Sequence, residues 1–360
     1  MQMNLGSLLL GIFAFIVLLS VIIIIHELGH LMTAKKFGVY CHEFSIGMGP
    51  CLWSHKFKET TLSLRAVPFG GYVMMAGEDD GSEELEEMKD IPSNRRLNGI
   101  SAWKQIVVMA AGAFMNIMLA WALLIGISMV QGTAVNDNDP IIYSIHEDSP
   151  AQKAGLQEGD EIISLECGNE VLEDVSVSRL SEQIQYYHDE AAVLTVLRDG
   201  QEISVNIEPA YDKESKMWLL GFDLTSKVEK ISKLESFKVA TQQLGEYSTM
   251  IIRSVAKLIQ GIGLSSVSGP VGIYQVTAET ASMGLLPFLS LLALFSLNIG
   301  IFNLLPIPVL DGGRIVIVLV EKICRRKLNE RVLNAVMLGS FALVIGLMLF
   351  ATFNDVIRLF

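Results

Sequence analysis

Residues 5–30 read LGSLLLGIFAFIVLLSVIIIIHELGH, an apolar run from Leu5 to Ile25 that ends directly in His26-Glu27-Leu28-Gly29-His30. As a helix that run is about 32 Å long at 1.5 Å per residue, close to the hydrocarbon thickness of a bilayer. No Lys or Arg precedes Lys35 and no small-residue cleavage signature closes the run, so it predicts a retained membrane helix rather than a removable leader. Ionisable side chains joined to a membrane span are costly and demand a partner. Two His four residues apart share one helix face, where their imidazole nitrogens suit Zn2+. The intervening Glu27 can reach a water on such an ion as general base.

The rest of the chain agrees with a membrane setting. Its 360 residues are 51% hydrophobic and only 18% charged, with a mean hydropathy of +0.44, too apolar for an ordinary soluble enzyme. Further spans are predicted at about Ile106–Val130, at about Leu285–Val320 with a break at Pro306 and Pro308, and at Leu333–Phe353. A net charge of −12 excludes a broad basic surface for nucleic acid. Cys41, Cys51, Cys167 and Cys324 form no C-x-x-C pair and read as isolated reduced thiols. Lys35 and Lys36, then Arg95, Arg96 and Lys104, then Lys322, Arg325, Arg326, Lys327 and Arg331 flank the spans on one side. That side is predicted cytoplasmic, which puts both chain ends and the acidic segment 131–285 outside.

Between the first two spans, Thr61–Gly77 has β-branched and aromatic residues flanking Gly70-Gly71 and predicts a hairpin that dips into the bilayer under protein cover. Glu78–Asp90 is strongly acidic and reads as a solvated segment. Beyond the second span come short strands with glycine turns, VLTVLRDG followed by QEISVNIEP among them, and a helical stretch Ser178–His188. These predict a compact α+β domain. Its phrase Ala154-Gly155-Leu156-Gln157-Glu158-Gly159-Asp160-Glu161-Ile162-Ile163 resembles the core of PDZ domains, which bind chain ends or extended segments by strand addition. Glu229–Gly263 is amphipathic and helical, lying on the membrane surface or against the spans.

A catalytic zinc needs a third protein ligand beside an open position for water. Asp311 is the best candidate, an acidic residue in apolar surroundings (IFNLLPIPVLDGGRIVIVLV) just after two helix-breaking prolines. Asn303 in the same segment can donate either to a substrate carbonyl, as an oxyanion contact, or to helix carbonyls freed by the break.

His26 to His30 on a first span, the glycine hairpin, the inserted PDZ-like domain and Asn303-Leu304-Leu305-Pro306-Ile307-Pro308-Val309-Leu310-Asp311-Gly312 together resemble the site-2 protease family, intramembrane zinc metalloproteases. The likeness is strongest to the bacterial members and spans nearly the whole chain. It implies that His26, His30 and Asp311 bind zinc and Glu27 activates water. It also implies that the hairpin around Gly70, Gly71 and Tyr72 presents an unwound transmembrane substrate as an edge strand. Ser268-Gly269-Pro270-Val271-Gly272 is similar to another family segment. Where the family often has Pro after the Gly of an A-G-x-x-x-N run, this chain has Gly112-Ala113-Phe114-Met115-Asn116.

The resulting expectation is a polytopic α-helical membrane protein of about four transmembrane helices with a membrane-associated β-hairpin and an inserted extracytoplasmic PDZ-like α+β domain. Its parts are an N-terminal membrane core (1–130), the PDZ-like domain (131–225), an amphipathic connector (226–284) and a C-terminal membrane core (285–360). The expected function is a zinc metalloendopeptidase of a bacterial cell membrane, with its site near the cytoplasmic side. Its partners are the lipid bilayer and single-span proteins such as anti-sigma factors or signal-peptide remnants. The PDZ-like domain binds or filters pre-cleaved ends. The alternatives are a catalytically inactive membrane-anchored PDZ scaffold, which has no use for Glu27, and a metal transporter, which would carry ionisable residues on several spans and internal repeats.

Overall fold

The computed structural model describes residues 5–78, 88, 90–136, 140–168, 170–173, 175–187, 192–212, 217–225, 227–264 and 267–357. Most of the acidic segment, 79–87 with 89, lies outside the described residues. The helices are α1 (Leu5–Lys36), α2 (Ala102–Gln131), α3 (Pro150–Lys153), α4 (Val177–Tyr186), α5 (Glu235–Ile259), α6 (Pro270–Ser282), α7 (Leu285–Asn303), α8 (Asp311–Cys324) and α9 (Glu330–Ile357). Among the described residues four are long and apolar enough to cross a membrane: Gly6–Lys36, Ala102–Gln131, Leu285–Asn303 and Arg331–Ile357. With strands between the second and third of these, the chain is a polytopic membrane protein with a β-containing region.

Two expectations are refined by the helices. The first span does not stop at Ile25: α1 continues to Lys36, so His26–His30 lie within the helix and inherit its rigidity. The third span is two helices, because Pro306 and Pro308 lack N–H donors and end α7. The chain turns through residues 304–310, with Leu310 N–H donating to Ile307 C=O (2.8 Å), and restarts as α8 at Asp311. An added Cβ at Gly312 would meet Leu304 C=O at 2.2 Å and one at Gly313 would meet Ile307 C=O at 2.2 Å. Two glycines therefore let the returning chain lie on the start of α8.

The hairpin is larger than expected and turns elsewhere. Strand β1 (Cys41–Phe57) pairs with β2 (Thr60–Met75) around Lys58 and Glu59, where Lys58 has φ 55°. Gly70 and Gly71 lie inside β2 rather than at the tip. The reason is a sharp bend in both strands, at Gly47 and Gly49 (φ 86° and 83°) and at Gly70 (φ 95°), all conformations that favour glycine. Bent in this way, β1 pairs on both sides. Ser45 and Ile46 face Tyr72 and Gly71 on one side and Ser63 and Leu64 on the other. Buried Glu43 ties the layers together, accepting from Ser63 Oγ, Arg65 Nη2 (2.7 Å) and Tyr72 Oη (2.9 Å). Segment 71–75 is left as the outer edge.

The chain divides into two compact units, one of residues 1–130, 237–256 and 265–360, the other of 131–236 and 257–264. In the first, Leu18 and Ile22 of α1 pack on Leu292 of α7. Ala120 and Leu124 of α2 meet Ala240 and Ile251 of α5 and Ala293 and Leu297 of α7, so the apolar face of the amphipathic segment lies against the spans. The Ser268–Gly272 segment starts α6. Its Gly272 N–H donates to the buried Asp355 carboxylate of α9 (2.8 Å), an anion where the helix dipole favours one.

The second unit carries the short strands β3 (Thr133–Asn136) and β4 (Ile142–Ile145) and a four-stranded sheet in the order β6 (Glu170–Leu172), β5 (Glu161–Cys167), β7 (Ala192–Arg198), β8 (Gln201–Ile207). β7 and β8 join through Asp199-Gly200, both at positive φ, the residue pair a two-residue hairpin favours. Leu165, Leu194 and Val196 from the sheet, Leu180 and Ile184 from α4, and Ala151 and Leu156 form its core. All four cysteines are free, Cys41 and Cys167 buried and Cys51 and Cys324 exposed.

The G-D-E phrase has a structural task here. Asp160, 1% exposed, accepts Arg198 Nε and Nη2 at 2.7 Å each and the Gln157 N–H at 2.8 Å. Burial would raise its carboxyl, yet the Arg198 guanidinium and the Gln157 N–H hold it below the usual carboxylate range. A depressed folded pKa contributes stability that is fully present above the unfolded value, about 3.9, and is lost as pH falls through the folded value. Hydrogen-exchange protection of β5 in the intact protein is therefore expected to weaken with acid below about pH 4. In Asp160→Asn it is expected to be lower at neutral pH and to fall less across that window, where Glu170 and Asp223 still titrate. An unchanged acid response in the variant would remove Asp160 as the titrating group.

Candidate metal centre

Three side chains from opposite ends of the sequence converge inside the first unit. His26 Nε2 lies 3.1 Å and His30 Nε2 3.4 Å from Asp311 Oδ2, and the two Nε2 atoms are 3.2 Å apart. Helix α1 puts both imidazoles on one face by their spacing of four. Asp311 reaches them because it is the first residue of α8, where the helix dipole also favours its charge.

The donor set fits zinc. Tetrahedral Zn2+ bound at about 2.0–2.1 Å by nitrogen and oxygen sets neighbouring donor atoms about 3.3 Å apart, and the three observed separations bracket that value. Asp311 Oδ2 is buried without a well-formed hydrogen bond. Three lone-pair atoms facing one another need a cation between them. Among the described residues this is the group of His, Cys, Asp and Glu side chains whose donor atoms, all within 4.8 Å, converge in that way.

Neighbouring elements are shaped around the three. His30 Nδ1 lies 2.8 Å from Val108 C=O of α2, which fixes its proton on Nδ1 and frees Nε2 as a donor. An added Cβ at Gly112 would sit 2.4 Å from His30 Nε2 and 2.7 Å from His26 Cε1, so only glycine fits beneath the rings. Gly29 brings α1 equally close to α2, where a Cβ would meet Ala111 C=O at 2.4 Å.

Glu27 points to the hairpin edge, and its Oε2 accepts the Val73 N–H at 3.1 Å. A Cβ added to Gly71 would stand 3.8 Å from Glu27 Cγ, so β2 passes close beside the acid. Of the hairpin candidates, Gly71 therefore lies beside Glu27. Gly70 supplies the bend, and Tyr72 is hydrogen-bonded to Glu43. Asn303 is the last residue of α7, at the entry to the irregular turn that leads to Asp311.

Three contributors escaped the sequence reading. The Val108 carbonyl and the Val73 N–H are backbone groups and carry no residue signal. Gly112 does carry one, a glycine within an apolar helix, which is a mark of close approach. Loss of the carboxylate in Asp311→Ala is expected to weaken zinc retention against a chelator, with Asp311→Asn intermediate. Full retention in both would put the third donor elsewhere.

A model described as peptidase family M50 matches residues 14–347. A Clostridium perfringens protein named by inference as a zinc metalloprotease is 34% identical over 342 residues, 94% of this chain and 96% of its own length. One from Fusobacterium nucleatum, named in the same way, is 34% identical over 346 residues, 96% and 98% of the two chains. The regulator of sigma-W protease RasP of Bacillus subtilis is 29% identical over 423 aligned positions, 97% of this chain and 99% of its own.

Proposed function

The chain belongs to peptidase family M50, the site-2 type of zinc metalloprotease, and from that premise we propose that it cuts the transmembrane segments of single-span proteins. His26, His30 and Asp311 hold the zinc, and Glu27 is the general base. The observation that carries this reading is the convergence of three donor atoms beside an acid that touches a strand edge, all among helices apolar enough to span a bilayer.

A membrane helix hides its carbonyls in its own hydrogen bonds, so a substrate must unwind before a peptide bond is open to attack. Segment 71–75 is an outer edge, and apart from the Val73 N–H, which Glu27 holds, the backbone groups on its outer side offer the unwound segment a strand to pair with. The close approach of Gly71 lets a strand bound at this edge lie beside Glu27. When bound, zinc lowers the pKa of water towards about 7 and polarises a carbonyl. Glu27 takes the proton of the attacking water and returns it to the leaving amine. Asn303, at the end of α7, is assigned to the substrate carbonyl.

Basic residues flanking the spans support a cytoplasmic-side site in a bacterial cell membrane, with the PDZ-like unit on the opposite face. There the domain binds or filters substrate ends exposed by an earlier cut. Anti-sigma factors and signal-peptide remnants are the substrate classes that fit. The former are also suggested by the Bacillus subtilis relative, whose name describes a regulator of sigma-W.

The test is cleavage by the full chain reconstituted in lipid of two single-span proteins that differ only in the segment, one with a central Gly-Pro and one all Leu. Gly and Pro weaken a helix by about 1–3 kcal/mol, so the weakened segment is expected to be cut at least about tenfold faster. Equal rates would contradict the unwinding step. No cleavage of either by zinc-loaded protein would favour the inactive scaffold.

A further inference from the structure

We propose that Asn116 is a positioning residue for His26, presenting its carboxamide oxygen to the Nδ1–H of that ring. The inference rests on the reading of His26 as a zinc ligand. Val108, Gly112 and Asn116 follow one another at intervals of four along α2 and so share one face. Each meets the metal-site histidines. Val108 C=O touches His30 Nδ1, Gly112 lies under both rings, and the Asn116 carboxamide nitrogen lies 3.4 Å from His26 Nδ1.

An imidazole that gives its Nε2 lone pair to a cation keeps its proton on Nδ1, which then needs an acceptor. His30 has one in the Val108 carbonyl. At His26 the neighbouring group is Asn116, whose side chain is fully buried and whose Oδ1 has no hydrogen-bond partner among the described residues. Two groups are thus each short of what the other supplies. The oxygen and nitrogen of a carboxamide exchange places by a half-turn about χ2, and that turn sets Oδ1 against Nδ1–H with no other movement. The backbone at this position is also held, since Asn116 C=O accepts the buried Ser296 hydroxyl of α7 at 2.8 Å.

The role is separable from packing. Asn116→Asp keeps the shape and can only accept at neutral pH, Asn116→Leu keeps the bulk and cannot accept, and Asn116→Ala removes both. Zinc affinity of the full chain in detergent, measured by competition with a chromogenic chelator, is expected to fall about 10- to 100-fold in the Leu and Ala variants. The Asp variant is expected to bind at least as tightly as wild type, and the zinc-free Asn116→Asp and Asn116→Leu forms are expected to melt close to wild type, with Asn116→Ala lower because it leaves a cavity. Affinity in Asn116→Asp as weak as in Asn116→Leu would overturn the acceptor role, as would wild-type affinity in Asn116→Leu and Asn116→Ala. His26→Ala is the control for the premise. If it binds zinc like wild type, the ligand assignment itself has failed and the role of Asn116 falls with it.

Discussion

Glu27→Gln is expected to keep zinc at the wild-type stoichiometry and to lose about 10²- to 10⁴-fold in cleavage rate. The change is nearly isosteric, and the carboxamide oxygen can still accept the Val73 N–H that now meets Oε2 at 3.1 Å. Strand edge and helix should therefore stay in place. On the proposed role of Glu27, what disappears is the ability to take a proton from water and hand it to the leaving amine. Single-turnover cleavage with zinc quantified on the same sample reads both properties. Cleavage at the wild-type rate would remove Glu27 from proton transfer, and loss of zinc would make it part of the metal's support instead.

The second large effect comes from a single methyl group. Gly112→Ala would place a Cβ 2.4 Å from His30 Nε2 and 2.8 Å from His26 Nε2, inside van der Waals contact with both donor atoms. Neither helix can yield easily, because Gly29 already packs α1 on the Ala111 carbonyl. The rings must therefore move. A displacement near 1 Å at a reacting centre costs about 10²-fold in rate, and zinc affinity is expected to fall in parallel. Gly126→Ala is the control on the same helix: nothing lies within 4 Å of its added Cβ, and removing a helical glycine stabilises by up to about 1 kcal/mol. Wild-type activity in Gly112→Ala would mean that the site can widen, against the close fit of Gly112 under His26 and His30.

The membrane architecture was legible because its signal is long-range and redundant: uninterrupted apolar runs admit few other structures. The β7–β8 hairpin was legible from Asp199-Gly200, whose turn chemistry is local. The β1–β2 hairpin was only half legible. The β pattern of Thr61–Gly77 is clear but reads as a whole hairpin rather than one strand, and β1 (CHEFSIGMGPCLWSHKF) mixes glycine, proline and charge and looks like a loop. Glycines that look like a turn instead bend the strands. The break at Pro306 and Pro308 was legible because two missing N–H groups end a helix, while its extent, an irregular turn through residues 304–310 between two separate helices, was not.

At the site, the chemistry-bearing side chains stand out because charge is costly in apolar sequence. Their supporting groups do not. The Val73 N–H and the Val108 carbonyl could belong to any residue type, and their roles follow from tertiary packing alone. Buried Glu43 left a trace, an acid inside a strand that needs Ser63, Arg65 and Tyr72 as donors, but its partners lie too far along the chain to be paired by inspection.

In the proposed zinc site Asp311, from the far end of the chain, completes a ligand set begun by His26 and His30. X-ray absorption at the zinc edge of the purified protein reads that ligand set. A four-coordinate shell of nitrogen and oxygen at about 2.0–2.1 Å is expected, with the outer scattering of two imidazoles, reduced to one in His30→Ala. A sulfur shell at about 2.3 Å, or a spectrum unchanged in His30→Ala and Asp311→Ala alike, would contradict it.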